Sequence, residues 1–170
     1  LALRELRDPR ATGPLLAALS DADLLTRLYA AWALGEIGDP RAAEGLVPLL
    51  EDEEADLRKV AAFALGALRD WGAAGEQAAP ALRGALNDPV EDVAWNAALA
   101  LARRGDAAGL PLLRRMLDRG YLAGVLRPDE NGIPRRLSEP QKAEAILNAL
   151  ISLARLGDRG SLETVRGLRD

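Results

Sequence analysis

The chain contains no cysteine and no histidine among its 170 residues. Without thiols there is no disulfide framework and no thiolate nucleophile. Without imidazole, Ser-His and Cys-His pairs, histidine general bases and imidazole zinc sites are excluded together. Aromatic residues make up only 4% against 49% hydrophobic residues, so the apolar material is mainly Ala, Leu and Val. That composition favours helices packed closely through small side chains. With 26 acidic and 22 basic residues, a net charge of -4, the chain lacks the basic excess that neutralises phosphates, and no nucleic-acid partner is expected. No run approaches the roughly 18 apolar residues that span a bilayer. Arg4, Glu5, Arg7 and Asp8 stand where a signal peptide needs an apolar stretch. A soluble, cytoplasmic protein without membrane contact is the expectation. No phosphate loop is present, since Gly72 to Gly75 reads GAAG without a lysine. Asp129 to Gly132 lacks the alternating oxygen ligands of a calcium loop and reads as a turn. No catalytic residue, cofactor or metal site is therefore expected.

What is present is a repeat. Residues 23 to 42, DLLTRLYAAWALGEIGDPRA, return in part as ADLRKVAAFALGAL at 55 to 68; Arg27 and Arg58, Ala30 and Ala61, and Gly35 and Gly66 are each 31 residues apart. A fixed period of that size marks a stacked helical array rather than a closed globule. The expected fold is all-α, a right-handed α-solenoid of about five helical hairpins with incomplete terminal units, forming one repeat domain over 1–170.

Punctuation sets the hairpins. Asp8-Pro9-Arg10-Ala11 and Asp39-Pro40-Arg41-Ala42 place an N-cap aspartate before proline at the first helical position. First helices are predicted near 9–19, 40–51, 77–87, 107–117 and 160–169, with Pro48 bending the second. Second helices are predicted near 23–37, 54–69, 90–104 and 139–156, and Gly38, Gly105 and Gly157 end three of them in left-handed conformation. Leu1, Leu3 and Leu6 have helical spacing, so the chain opens in a second helix and closes in a first one. Further repeats or another subunit are expected at those ends. Residues 69–75 lengthen the second connection, with Trp71 expected as a plug over it.

One segment departs from the period. Leu101 and Leu153 occupy equivalent positions 52 apart, which puts an insertion at 119–137, between the helices of the fourth unit. Turn chemistry at Pro128 to Gly132 with apolar flanks suggests a hairpin or ordered flap; a disordered loop is the alternative. Ser138 to Gln141 restarts the helix as a capping box.

The pattern Arg-x-x-Ala-Ala-x-Ala-Leu-Gly-x-Ile-Gly-Asp-Pro-Arg-Ala at Arg27 to Ala42 resembles HEAT repeats of the short bacterial, phycobilisome-lyase-like type. The resemblance implies a ladder between neighbouring units from an Asp in the intra-repeat turn and an Arg six residues later. Asp21 with Arg27 and Asp52 with Arg58 match it, whereas Asp88 faces Ala94. It also implies that second helices line a concave surface.

On a 100° wheel, Thr26, Ala30, Ala33, Leu34 and Ile37 form the core face of the first full second helix, and Leu28 and Trp32 lie opposite. Equivalent positions hold Lys59 and Phe63, Trp95 and Leu99, and Leu147 and Ile151, flanked by Glu36, Arg103 and Arg155. A second apolar stripe exceeds what stacking requires, and aromatics beside Arg are typical interface anchors. The expected function is a non-catalytic interaction scaffold that binds a protein or peptide through this groove. Three alternatives stand beside it: a bilin-lyase-like subunit holding a tetrapyrrole or other small ligand, a nucleic-acid binder resembling HEAT-like DNA glycosylases, against which the net acidity speaks, and a stripe covered within the molecule itself.

Overall fold

Each inter-repeat turn begins with an aspartate that folds its own backbone. In the computed structural model, which describes residues 8–129, 131–161, 164 and 166, Asp8 accepts from the N–H of Arg10 at 2.9 Å, Asp39 from Arg41 at 3.0 Å, Asp70 from Gly72 at 2.8 Å and Asp106 from Ala108 at 2.9 Å. These short turns satisfy donors that a helix start leaves free. A single turn of 3₁₀ helix follows each aspartate.

The helices then run α1 (Thr12–Ala18), α2 (Leu24–Ile37), α3 (Ala43–Leu46), α4 (Ala55–Ala67), α5 (Gly75–Ala85), α6 (Glu91–Arg103), α7 (Leu110–Arg115), α8 (Arg119–Gly124) and α9 (Glu139–Arg155). Strands β1 (Leu126–Pro128) and β2 (Pro134–Arg136) interrupt the series before α9. The alternation of short first helices and longer second helices is as the sequence reads. Pro48 does more than bend the first helix expected over 40–51: that segment is divided into α3 and a 3₁₀ turn over Pro48–Glu51. Gly38, Gly105 and Gly157 have φ of 72°, 75° and 66°, the left-handed region where a side chain is strained. Residues 1–7, and most of the helix expected over 160–169, lie outside the described residues.

The chain divides into two compact units, Leu1–Leu101 and Ala102–Asp170, where the sequence reads as one repeat domain. In the first unit α2 packs on α1 and α4, and Leu34, Leu46, Leu57, Leu65, Leu82 and Leu101 are fully buried. Burying each such side chain is worth about 1.5–3 kcal/mol. α2 and α4 approach each other tightly at Gly35, where a Cβ would lie 2.8 Å from Ala64 Cα. Trp71 seals the longer connection, donating its Nε1–H to the carbonyl oxygen of Leu65 at 2.9 Å.

Charged side chains tie neighbouring repeats. Thr12 Oγ1 donates to Asp39 Oδ2 at 2.9 Å and Arg41 Nη2 to the Pro9 carbonyl at 3.0 Å, so consecutive DPRA turns hold each other. In the ladder expected between neighbouring repeats, the arginines do not meet the carboxylates of Asp21 and Asp52. Arg27 donates to the main-chain oxygens of Asp21 and Ala22, and Arg58 to those of Asp52 and Glu53. The turn carboxylates are occupied: Asp21 and Asp52 each accept from the N–H two residues on. The remaining nitrogens of Arg58 reach one repeat further, to the carboxylate of Asp88.

In the second unit the insertion is ordered structure. α8 is capped by Asp118, and β1 pairs antiparallel with β2, Leu126 opposite Arg136, Arg127 opposite Arg135 and Pro128 opposite Pro134. Asp129 closes the hairpin, accepting from the N–H groups of Asn131 and Ile133 and from Arg135 Nε. Leu122, Val125 and Leu137 of the insertion are buried, as are Leu113, Met116, Leu117 and Leu153 of this unit. The Ser138–Gln141 capping box starts α9 as the sequence indicates.

Candidate functional site

Helix α2 begins at Asp23, whose carboxylate accepts from both the N–H and the hydroxyl of Thr26 at 2.8 Å. Those bonds hold the Asp23 carboxyl below the usual carboxylate range. From that start the helix turns Ala30, Ala31, Leu34, Gly35 and Ile37 into the core. The opposite face carries Leu25, Tyr29 and Trp32, which are 57%, 69% and 43% exposed. At positions i, i+4 and i+7 they form one ridge two turns long.

Helix α4 lies alongside. It buries Leu57, Ala61, Ala62, Ala64 and Leu65 and leaves Lys59, Val60 and Phe63 half-buried. Between the two helices runs an open groove of about 400 Å³ lined by Leu28, Tyr29, Trp32, Asp56, Lys59 and Val60. Within it Lys59 Nζ pairs with Asp56 at 2.5 Å. The groove lies toward the helix N-termini from the Gly35–Ala64 contact.

Leu28, Trp32 and Lys59 thus line one groove, with Phe63 half-buried on α4 and Glu36 half-buried on α2. Trp95 departs from expectation: it is 5% exposed, although the wheel placed it on the open stripe. α6 is covered on more than one face, with Val93, Ala94, Trp95, Ala97, Ala98 and Ala100 all buried. Trp95 is therefore a packing residue and no part of an exposed stripe, and Leu99 beside it is half-buried. Tyr29, Leu25, Asp56 and Val60 escaped the sequence reading. Leu25 and Tyr29 stand seven and three residues before Trp32, on the side of the wheel that the pair Leu28–Trp32 left unexamined.

The second unit carries its own ridge. α9 buries Ala145, Ala149, Ser152 and Leu153 and presents Leu147 and Ile151, 55% and 51% exposed, followed by exposed Arg155. Arg103 is also at the surface. Its guanidinium is held below the usual arginine range, first by desolvation and then by the positive charges of Arg155 and Arg104.

Among the described residues no cluster of three or more His, Cys, Asp or Glu side chains is arranged to hold a metal ion. No helix there is long and apolar enough to cross a membrane. What the groove offers is apolar contact, two exposed aromatic rings and one neutralised ion pair, which suits docking.

An array of helical hairpins in which short first helices alternate with longer second ones is the architecture of a helical-repeat protein. The HEAT repeat family matches residues 1–66 and 43–125, and the chain belongs to that family. Of the 20 solved chains that resemble it, one comes from the complex of CpcE and CpcF of phycocyanin lyase from Nostoc sp. PCC7120. The likeness there is 30% identity and a TM-score of 0.61, over 91% of this chain. The chain spans 56% of the length of that protein. No curated protein matches.

Proposed function

We propose that the chain is a non-catalytic interaction module whose partner protein docks an apolar segment into the groove between α2 and α4. The observation that carries this reading is the exposure of Tyr29 and Trp32, 69% and 43%, in a fold whose core is already complete without them. Leaving large apolar side chains in water forgoes about 1.5–3 kcal/mol each. Aromatic side chains in such positions are the residues that most often dominate binding energy. Leu28, Lys59 and Phe63 complete the docking surface, and Leu147, Ile151, Arg103 and Arg155 supply a second contact region. Membership of the HEAT family and likeness to a chain solved within a two-protein complex favour a protein partner.

Affinity capture with the wild type and with Tyr29→Ala plus Trp32→Ala tests this reading. The double variant is expected to lose the wild-type partner while its far-ultraviolet circular dichroism is unchanged; retention of that partner removes the groove as its site.

A second reading has support of its own. The matched structure is that of a phycocyanin lyase, and an apolar groove with two aromatic rings can hold a tetrapyrrole. Titration with a free bilin separates the readings: a small-ligand site gives a saturable shift in visible absorbance that Trp32→Ala abolishes.

A further inference from the structure

Charge is divided unequally along the chain. Residues 1–101 hold 17 acidic and nine basic side chains, and residues 102–170 hold nine acidic and 13 basic ones. The first unit is thus strongly acidic although the whole chain carries only -4. Much of that charge stands where the groove-forming helices begin. Asp21 and Asp23 precede α2, and Glu53 and Glu54 precede α4, all four exposed.

The cations close to these acids offset them only in part: residues 21–27 hold two acids and one arginine, and residues 51–59 five acids and two cations, so both helix starts stay net negative. Lys59 is held by Asp56 inside the groove. Arg58 divides its donors between the Asp52 and Glu53 carbonyls and the carboxylate of Asp88 in the next repeat, and Arg27 donates to the carbonyls of Asp21 and Ala22. The dipoles of α2 and α4 favour negative charge at these positions, but they do not cancel the field that an approaching segment meets.

The apolar part of the site constrains the shape of that segment. Leu25, Tyr29 and Trp32 run along a helix for two turns, and the groove beside them has helices on both sides. No strand edge is described in this unit, so main-chain pairing with an extended peptide is not offered. A helix laid against the ridge meets it with anchors at i, i+3 or i+4, and i+7.

We infer that the segment bound by this groove is a cationic amphipathic helix, whose apolar face covers Tyr29 and Trp32 and whose lysines or arginines meet Asp21, Asp23, Glu53 and Glu54. The inference rests on the docking reading above and adds the chemistry of the partner.

Three fluorescein-labelled peptides of about five helical turns test it, sharing one leucine pattern and carrying Lys, Gln or Glu at every polar position. The Lys peptide is expected to bind the wild type about tenfold more tightly than the Gln peptide in low salt, and the Glu peptide more weakly than either. In about 1 M salt, where the screening length falls to about 3 Å, the Lys and Gln peptides converge. Glu53→Gln with Glu54→Gln lowers affinity for the Lys peptide several-fold and leaves the Gln peptide unchanged. Tyr29→Ala with Trp32→Ala weakens both. Because Trp71 and Trp95 are buried and Trp32 is exposed, a blue shift of tryptophan emission on binding places the peptide at Trp32.

Equal binding of the Lys and Gln peptides, or no response to the glutamate substitutions, overturns the cationic helix but leaves the groove standing if the aromatic substitutions still weaken binding. Binding indifferent to Tyr29 and Trp32 overturns both. Failure of all three peptides to bind also overturns this inference, whereas the groove as a docking site is then decided by partner capture.

Discussion

Arg58 and Asp88, 30 residues apart on neighbouring repeats, form a two-pronged ion pair, Nε to Oδ2 at 2.7 Å and Nη2 to Oδ1 at 3.2 Å. Their side chains are 15% and 8% exposed, and the pairing raises the Arg58 pKa above its ordinary value. The same guanidinium donates to the carbonyls of Asp52 and Glu53. One side chain thus closes its own turn and grips the next.

Removing either partner of a mostly buried pair leaves a charge without its counterion. Arg58→Ala is expected to destabilise by about 3 kcal/mol and Asp88→Asn by about 2 kcal/mol, since the arginine loses its carbonyl contacts as well. The double variant should cost less than the sum, measured by denaturant unfolding. Arg58→Lys should recover little, because an ammonium cannot supply the fork. Strict additivity in the cycle contradicts the bridge.

Gly35 and Gly84 should respond oppositely to alanine. A Cβ on Gly35 would lie 2.8 Å and 2.9 Å from Ala64 Cα and Cβ, backbone and side chain that cannot swing away, whereas nothing lies within 4 Å of one on Gly84. Gly35→Ala should cost about 1–3 kcal/mol by forcing α2 and α4 apart. Gly84→Ala, within α5, should gain about 0.5–1 kcal/mol from helix propensity. Thermal melts of the two variants check both signs.

Asp39 links stability to acid. The Arg41 side chain, the Arg41 N–H and the Thr12 hydroxyl hold its pKa at about 2, against the penalty of burial. Because the folded value lies below the unfolded value of 3.8, the stabilisation is complete above about pH 4 and is lost as pH falls through 2. Discounted for the exposed arginine, its size is on the order of 1 kcal/mol. Asp39→Asn should lower stability at neutral pH and flatten the acid limb between pH 4 and 2 in chemical denaturation; an unchanged limb contradicts the linkage.

The repeat architecture was legible because its boundaries are written in residues with strong local rules. Aspartate before Pro40, glycine at 38, 105 and 157, and Pro48 each act through their own backbone, so the helix limits follow without knowledge of packing. Ser138 and Gln141 announce α9 in the same way. Trp95 was not legible, because a helical wheel ranks faces within one helix and α6 is covered on more than one of them. The partner of Arg58 was missed for a related reason: a rule spanning six residues cannot find a carboxylate one repeat further on. Acidity in the first unit was present in the sequence but averaged away until the division after Leu101 was known.

Docking in the groove requires Trp32 and Tyr29 to face the partner. Site-specific photocrosslinking tests this most directly, with benzoylphenylalanine placed at Trp32 and, as a control, at Glu44, which is exposed on first helix α3. The prediction is a single crosslinked protein species from position 32, competed away by excess unlabelled wild-type chain, and no such species from position 44. The same species from both positions, or from 44 alone, contradicts a docking groove between α2 and α4.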